Sequence, residues 1–267
     1  MSNQIKPLNI LEVKNLIPRA FQPTPAKSRT NKYTVLNTVD ALKELQNQGW
    51  LPYNAFPLRK FNPSAKQDYS THCVKLRHFN SLQSPTEVGE TIPEIILINS
   101  YTGMSSFKLL AGHFRLVCEN GMVVMDDTKE NQQTKVIHRG ELNLKDIVAS
   151  AIKQVTASVT KIDEMKHKIL TTKEQRELAK QALTLRTSGR QLSGGTPIIG
   201  DLLKVRRPED AGNNAWLVLN RLQEAIIRGG IRVRGKNGQV RTMGKVRSDE
   251  TSLQLNQKVW DLVAQTV

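Results

Sequence analysis

Two periodicities divide the chain. From Trp50 to Leu110 apolar and polar residues alternate in short runs, and Trp50–Leu58, Thr71–Phe79, Glu94–Tyr101 and Ser105–Leu110 each predict a strand. In the second run Cys73, Lys75 and Arg77 share one parity and Val74, Leu76 and His78 the other, which predicts a sheet with one basic face. Beyond Leu144 the step changes to three and four. Leu144, Ile147, Val148, Ala151, Ile152, Val155, Val159 and Ile162 lie on one stripe, continued to about Leu185 without a proline, so a long helix or a helical pair is expected.

The flanking segments complete an α+β reading, strands first and helices after. Four prolines (Pro7, Pro18, Pro23, Pro25) make residues 1–30 a flexible basic arm with at most one short turn near Leu8–Leu16. A sheet domain over 31–142 opens with a strand at Tyr33, Val35 and Leu36. A short capped helix follows from Thr38, through Val39, Leu42 and Leu45, to Gly49. After the helical region 143–187, the Gly- and Ser-rich run to Pro197 reads as a linker over 188–200. Residues 201–267 predict two helices, Pro208–Arg228 and Glu250–Val267, around a short basic excursion. The whole is therefore a mainly antiparallel sheet with a short helix, then a long helix, then a helix–basic hairpin–helix segment.

Charge turns this outline toward function. The 267 residues hold 39 Lys and Arg against 24 Asp and Glu, a formal charge of +15, beyond what solubility requires and pointing to a polyanionic partner. The surplus is uneven: +7 over residues 1–67, −2 over 68–142, +4 over 143–187 and +6 over 188–267. No run reaches the roughly 18–20 apolar residues of a membrane-spanning helix. The first residues lack the apolar core of a secretory signal, so a cytoplasmic protein with no membrane partner is expected. Cys73 and Cys118 fit neither a disulfide framework nor a paired zinc site, and no cofactor is expected.

The excursion at 228–247 holds Arg228, Arg232, Arg234, Lys236, Arg241, Lys245 and Arg247 and no acid. Alternation from Ile231 to Asn237-Gly238 predicts a hairpin closed by a tight turn, with Arg232, Arg234 and Lys236 projecting together toward a phosphate backbone. Charges that protect an exposed strand edge are the bland alternative. Gly230, Gly235 and Lys236 have the spacing of a phosphate-binding P-loop, but Asn237 stands where Ser or Thr is required and the segment reads as extended. A second constellation spans 50–79. Trp50, Tyr53, Phe56, Phe61, Tyr69 and Phe79 are six of the 13 aromatics, interleaved with Arg59, Lys60, Lys66, Lys75 and Arg77. Unpaired bases stack on rings while cations follow the phosphates. At least half of these rings are expected in the core, with Phe61 and Tyr69 the exposed pair available to stack.

Catalysis finds little support. Cys118 could pair with His113 or His138, yet Leu116, Val117, Met122, Val123 and Val124 surround it with apolar side chains that keep a thiol inert. Asp126-Asp127 point to opposite faces of a strand and have no histidine at metal-ligand spacing. Asn120-Gly121 reads as a turn between Phe114–Cys118 and Met122–Val124. Arg115 and Arg139, isolated cations in the acidic segment, serve either internal ion pairs or phosphate.

Two patterns then resemble a domain family of unknown function found in phage- and plasmid-encoded proteins. One is Phe107-x4-Gly112-x2-Arg115-x2-Cys118-x-Asn120-Gly121-Met122, followed by a basic position near Val136-Ile-His-Arg139-Gly140. The other is Asn213-Asn-Ala-Trp216-x3-Asn220-x2-Gln223-Glu224. The similarity covers most of residues 30–267, and the basic hairpin departs from it. The resemblance implies a mobile-element context, hence a host cytoplasm, and an analogy to phage single-strand annealing proteins.

Together these readings lead to a non-enzymatic protein that prefers single-stranded DNA and promotes strand annealing, as a homo-oligomeric ring or filament. Arg59, Lys60, Lys75, Arg77, Arg115, Arg139, Arg232, Arg234, Lys236, Arg241, Lys245 and Arg247 are the nucleic-acid contacts. Six to eight phosphate contacts correspond to a log–log salt slope of about −4 to −6 on single strands. The alternatives are a duplex-binding regulator or architectural protein that uses the C-terminal segment as a winged module, and an accessory protein that inhibits a host nucleic-acid-binding factor.

Overall fold

The computed structural model describes residues 6–22, 36–58, 71–83, 91–102, 106–115, 118–124, 135–136, 143–188 and 195–267; at 83, 114, 115, 118–124, 135, 136, 249 and 250 it describes the backbone only. Two compact units divide the chain, one formed by residues 1–114 and 125–156, the other by 115–124 and 157–267. The fold is mixed α+β, as the two periodicities predict.

The first unit starts inside the expected arm. Asn9 and Glu12 form a capping box that starts helix α1 (Ile10–Leu16), and Pro18–Phe21 add a 3-10 turn. Val13, Ile17 and Ala20 are fully buried, and the Leu8 N–H donates to the Pro52 carbonyl at 2.7 Å. Three apolar contacts and a box are enough to hold this stretch of a proline-rich segment. Asn37 caps α2 (Thr38–Asn47), which buries Ala41, Leu42 and Leu45. Gly49, at φ 82°, turns the chain into β1 (Trp50–Pro57). β2 (His72–His78) runs into the short α3 (Phe79–Gln83), and β3 (Thr91–Asn99) and β4 (Phe107–Arg115) complete the order β1-β2-β3-β4. β2 is antiparallel to both β1 and β3.

Both parities of β2 and β3 are buried. Val74, Leu76, Ile95 and Leu97 form one layer, and Cys73, Ile96 and Ile98 the other. The basic face predicted from Cys73, Lys75 and Arg77 is therefore a covered face; alternation fixes which residues share a side, whereas coverage depends on elements elsewhere in the chain. Asn120 and Gly121 also depart from expectation. They lie within strand β5 (Cys118–Val124), which runs alongside the last helix of the second unit, so packing overrides the turn preference of Asn-Gly. The two-residue strand β6 (Lys135–Val136) pairs antiparallel with the start of β4.

The helical region is a pair: α4 (Leu144–His167) and α5 (Thr172–Thr187), the latter opened by a Thr171–Glu174 capping box. The second unit continues with β7 (Gly195–Pro197), inside the expected linker, then α6 (Ala215–Arg228), β8 (Arg232–Gly235), β9 (Val240–Thr242) and α7 (Asp249–Ala264). Helix α6 starts later than its apolar pattern implies. Asn214 caps it by accepting from the Leu217 N–H, and Gly212, at φ 137°, takes a backbone conformation that ends any helix from Pro208. From Val218 to Ile227 every side chain of α6 is buried, and Trp216 meets Trp260 of α7 edge-to-face with ring centroids 6.5 Å apart. No helix among the described residues is long and apolar enough to cross a membrane.

Candidate nucleic-acid interface

The basic excursion is a hairpin built on a three-stranded sheet, β7-β8-β9, antiparallel throughout. Its turn is not the two-residue form. Gly235 donates to the Gln239 carbonyl at 2.7 Å, Gly238 donates to the Gly235 carbonyl at 3.1 Å, and Gly238 has φ 77°, whereas Lys236 and Asn237 keep negative φ. A two-residue type I′ turn needs positive φ at both central positions, so Lys236-Asn237-Gly238 forms a three-residue loop with glycine in the left-handed position. At the base, Gly230 donates to the Met243 carbonyl and Val246 to the Ile227 carbonyl, so the returning chain crosses the end of α6. Gly229 permits this crossing: at φ 81°, a Cβ there would lie 2.4 Å from the Met243 oxygen. Arg186 of α5 donates to the Gly244 carbonyl at 2.8 Å.

Register sorts the cations. Arg232 pairs with Thr242, and Arg234 with Val240 and Thr196, so these five exposed side chains share one face. Arg241 pairs with Val233 and lies on the opposite face; Lys236 sits in the turn. The expected row of Arg232, Arg234 and Lys236 is thus two arginines on a sheet face and a lysine at the tip. Arg234, Lys236, Arg241, Lys245 and Arg247 are all exposed, and none takes part in an ion pair among the described residues. Arg232 is different. Its Nε and Nη2 donate to Oδ2 and Oδ1 of Asp201 at 2.9 and 2.8 Å, and its backbone N–H donates to Oδ2 at 2.9 Å. These bonds hold the Asp201 carboxyl below its usual pKa range.

In the first unit the aromatic and basic constellation is used differently. Arg77 is 2% exposed; its Nε and Nη2 donate to Glu94 Oε1 at 2.9 and 2.8 Å, and its guanidinium carbon lies 4.2 Å from the centre of the Tyr53 ring. The Tyr53 hydroxyl donates to the same oxygen, and burial, then the Glu94 charge, push this phenol up. Arg77 and Glu94 are direct register partners, and a bulge between Pro52 and Asn54 leaves Tyr53 outside the ladder. Expected on a phosphate surface, Arg77 is instead committed to an internal pair. Lys75 is half-buried opposite Asn54 and Ile96. Of the rings, Trp50 is buried, Tyr53 and Phe56 are half-buried, and Phe79 is 43% exposed with His78 tilted against it at 4.6 Å. Arg59, Lys60, Arg139, Phe61 and Tyr69, and the side chain of Arg115, lie outside what is described.

His113 on β4 is 1% exposed, and burial pushes its pKa down to about 3, so it is a neutral imidazole near pH 7. The Cys118 side chain is outside what is described. The Asn213–Glu224 pattern has an internal role: Asn214 caps α6, Asn220 Nδ2 donates to the Trp216 carbonyl at 2.7 Å, Gln223 to the Asn256 carbonyl at 3.3 Å, and buried Glu224 accepts from Arg207 at 2.9 Å. Asp201, which binds Arg232, is the residue of this surface that the sequence pattern did not mark. It precedes its partner by 31 positions and belongs to a short 3-10 turn (Ile199–Asp201), beyond the reach of periodicity.

A family model described as "Domain of unknown function (DUF932)" matches residues 25–260. Two proteins of Escherichia coli (strain K12) are similar along nearly the whole chain. "UPF0380 protein YfjQ" is 30% identical over 270 residues, covering 98% of this chain and 92% of its own length. "UPF0380 protein YafZ" is 30% identical over 263 residues, covering 96% and 90%. No solved structure matches the chain.

Proposed function

We propose that this chain, which belongs to the DUF932 family, is a non-enzymatic DNA-binding protein that prefers single strands and promotes their annealing. The observation that carries the reading is the β8–β9 hairpin and the chain that returns from it, where Arg234, Lys236, Arg241, Lys245 and Arg247 are exposed and form no ion pair among the described residues. Unpaired cations on a rigid ribbon release counterions when phosphates replace solvent. The single-strand preference is supported by exposed Phe79 beside His78 in the first unit, a ring pair on which an unpaired base can stack. A mobile-element setting in a host cytoplasm and assembly of several copies into a ring or filament belong to the same proposal.

A second reading, a duplex-binding winged module, is favoured by one feature: both tryptophans of α6 and α7 are buried, so neither ring is offered beside the hairpin. Salt-titrated binding to single-stranded DNA, duplex DNA and RNA separates the two. Five such contacts on a single strand correspond to a log–log slope of about −3.5 from the hairpin and its returning chain. Tighter binding to the single strand supports the proposal, and equal or tighter binding to duplex overturns it in favour of the winged module.

A further inference from the structure

We propose that Arg232 is a base-stacking platform and not one of the phosphate-neutralising cations, its planar guanidinium set against an unpaired nucleobase. The inference rests on the single-strand reading and names what one position of that surface recognises. Asp201 grips one whole edge of the guanidinium through Nε and Nη2, at 2.9 and 2.8 Å, and the Arg232 backbone N–H through the same carboxylate. The Arg232 carbonyl accepts from Ile198 at 2.8 Å, so main chain and side chain are fixed together. Although that edge is occupied, 55% of the side chain remains exposed, against 9% for Asp201.

A fork-bound guanidinium is a poor phosphate ligand. Its charge is already matched, and a phosphate brought to it also meets the Asp201 carboxylate. What remains available is a flat, weakly hydrated cation in a fixed orientation, which stacks on aromatic faces. Unpaired bases are recognised by stacking on such guanidinium planes, and only splayed bases offer an open face. The neighbours fit this division of labour. Thr242, the cross-strand partner, and Val240 and Thr196 are exposed on the same face and bring no carboxylate to it. Arg234 lies two residues along, on the same face and without an ion pair among the described residues, where the phosphate next to a stacked base can meet it.

The test measures affinity and salt dependence on oligothymidylate and on an abasic sugar–phosphate chain of the same length, for the full chain and for Arg232→Lys, Asp201→Asn and Arg234→Ala. Arg232→Lys keeps the charge and removes the plane, so thymidylate binding weakens about two- to fivefold while abasic binding and both salt slopes stay unchanged. Arg234→Ala makes the slope shallower by about 0.7 on both chains, and Asp201→Asn steepens it by about 0.7 as Arg232 becomes a free cation. The ratio of the two affinities is read on one sample, so partial unfolding of a variant does not imitate the effect. If Arg232→Lys leaves the ratio of thymidylate to abasic affinity unchanged, whether both weaken alike or neither does, Arg232 contributes no stacking plane and the platform is wrong. An unmodified chain that binds both ligands equally overturns the platform alone; one that binds neither overturns the single-strand reading as well.

Discussion

Arg77 and Arg232 are both strand arginines held by a carboxylate, and they do opposite things. Arg77 on β2 is 2% exposed and its partner Glu94 is fully buried; a tyrosine ring closes over the guanidinium. Arg232 on β8 is 55% exposed, and its partner Asp201 reaches it from a turn at the edge of a small sheet. A cation in a sheet therefore says nothing about a ligand until its coverage and its acid are known. In the first unit this arginine's positive charge is part of the folded interior. In the second, a neutralised arginine shares an exposed hairpin with Arg234, Lys236 and Arg241, and Lys245 and Arg247 follow it; none of these five forms an ion pair among the described residues.

The contrast breaks most visibly at Glu94. Glu94→Ala leaves Arg77 buried without its carboxylate and is expected to destabilise the protein by about 3–5 kcal/mol, measured by urea unfolding. A loss below 1 kcal/mol would place Arg77 in solvent and restore it as a surface cation. The next effect is on the hairpin's footing. Gly229→Ala puts a Cβ 2.4 Å from the Met243 oxygen at φ 81°, expected to cost about 1–3 kcal/mol and to weaken DNA binding along with it.

Acid acts on the first unit through His113. Its folded pKa, about 3, lies below the ordinary 6.5, so the unfolded chain takes up the proton first. The contribution is intact above about pH 6.5 and is lost as pH falls toward 3, by up to about 1.4 kcal/mol per pH unit. His113→Gln should flatten the pH dependence of the urea midpoint in that window. The smallest effect sharpens the contrast from the other side. Replacing Arg234, Lys236 and Arg241 together by Ala should change folding stability by no more than about 0.5 kcal/mol, as expected of exposed side chains away from packing.

Periodicity made most of the architecture legible. The strand runs, the helical pair and the two C-terminal helices follow from alternation and three-four stepping, because those patterns are imposed by the local geometry of each element. What they do not carry is coverage. The Cys73-Lys75-Arg77 parity was readable, but Glu94 lies 17 residues away and only pairing of β2 with β3 brings it opposite Arg77. The hairpin was readable from composition and alternation, whereas its three-residue turn depended on which of Asn237 and Gly238 takes positive φ. The start of α6 was obscured because apolar and helix-forming residues precede the asparagine that caps it. Asp201, separated from Arg232 by a helix and a linker, left no local signal.

The account stands most directly on the salt dependence of single-stranded DNA binding by the triple variant Arg234→Ala, Lys236→Ala, Arg241→Ala. With the fold intact, three lost phosphate contacts should make the log–log slope shallower by about 2 and weaken binding at low salt. A slope identical to that of the unmodified chain would show that the hairpin does not touch the phosphates, and would contradict the assignment of this surface.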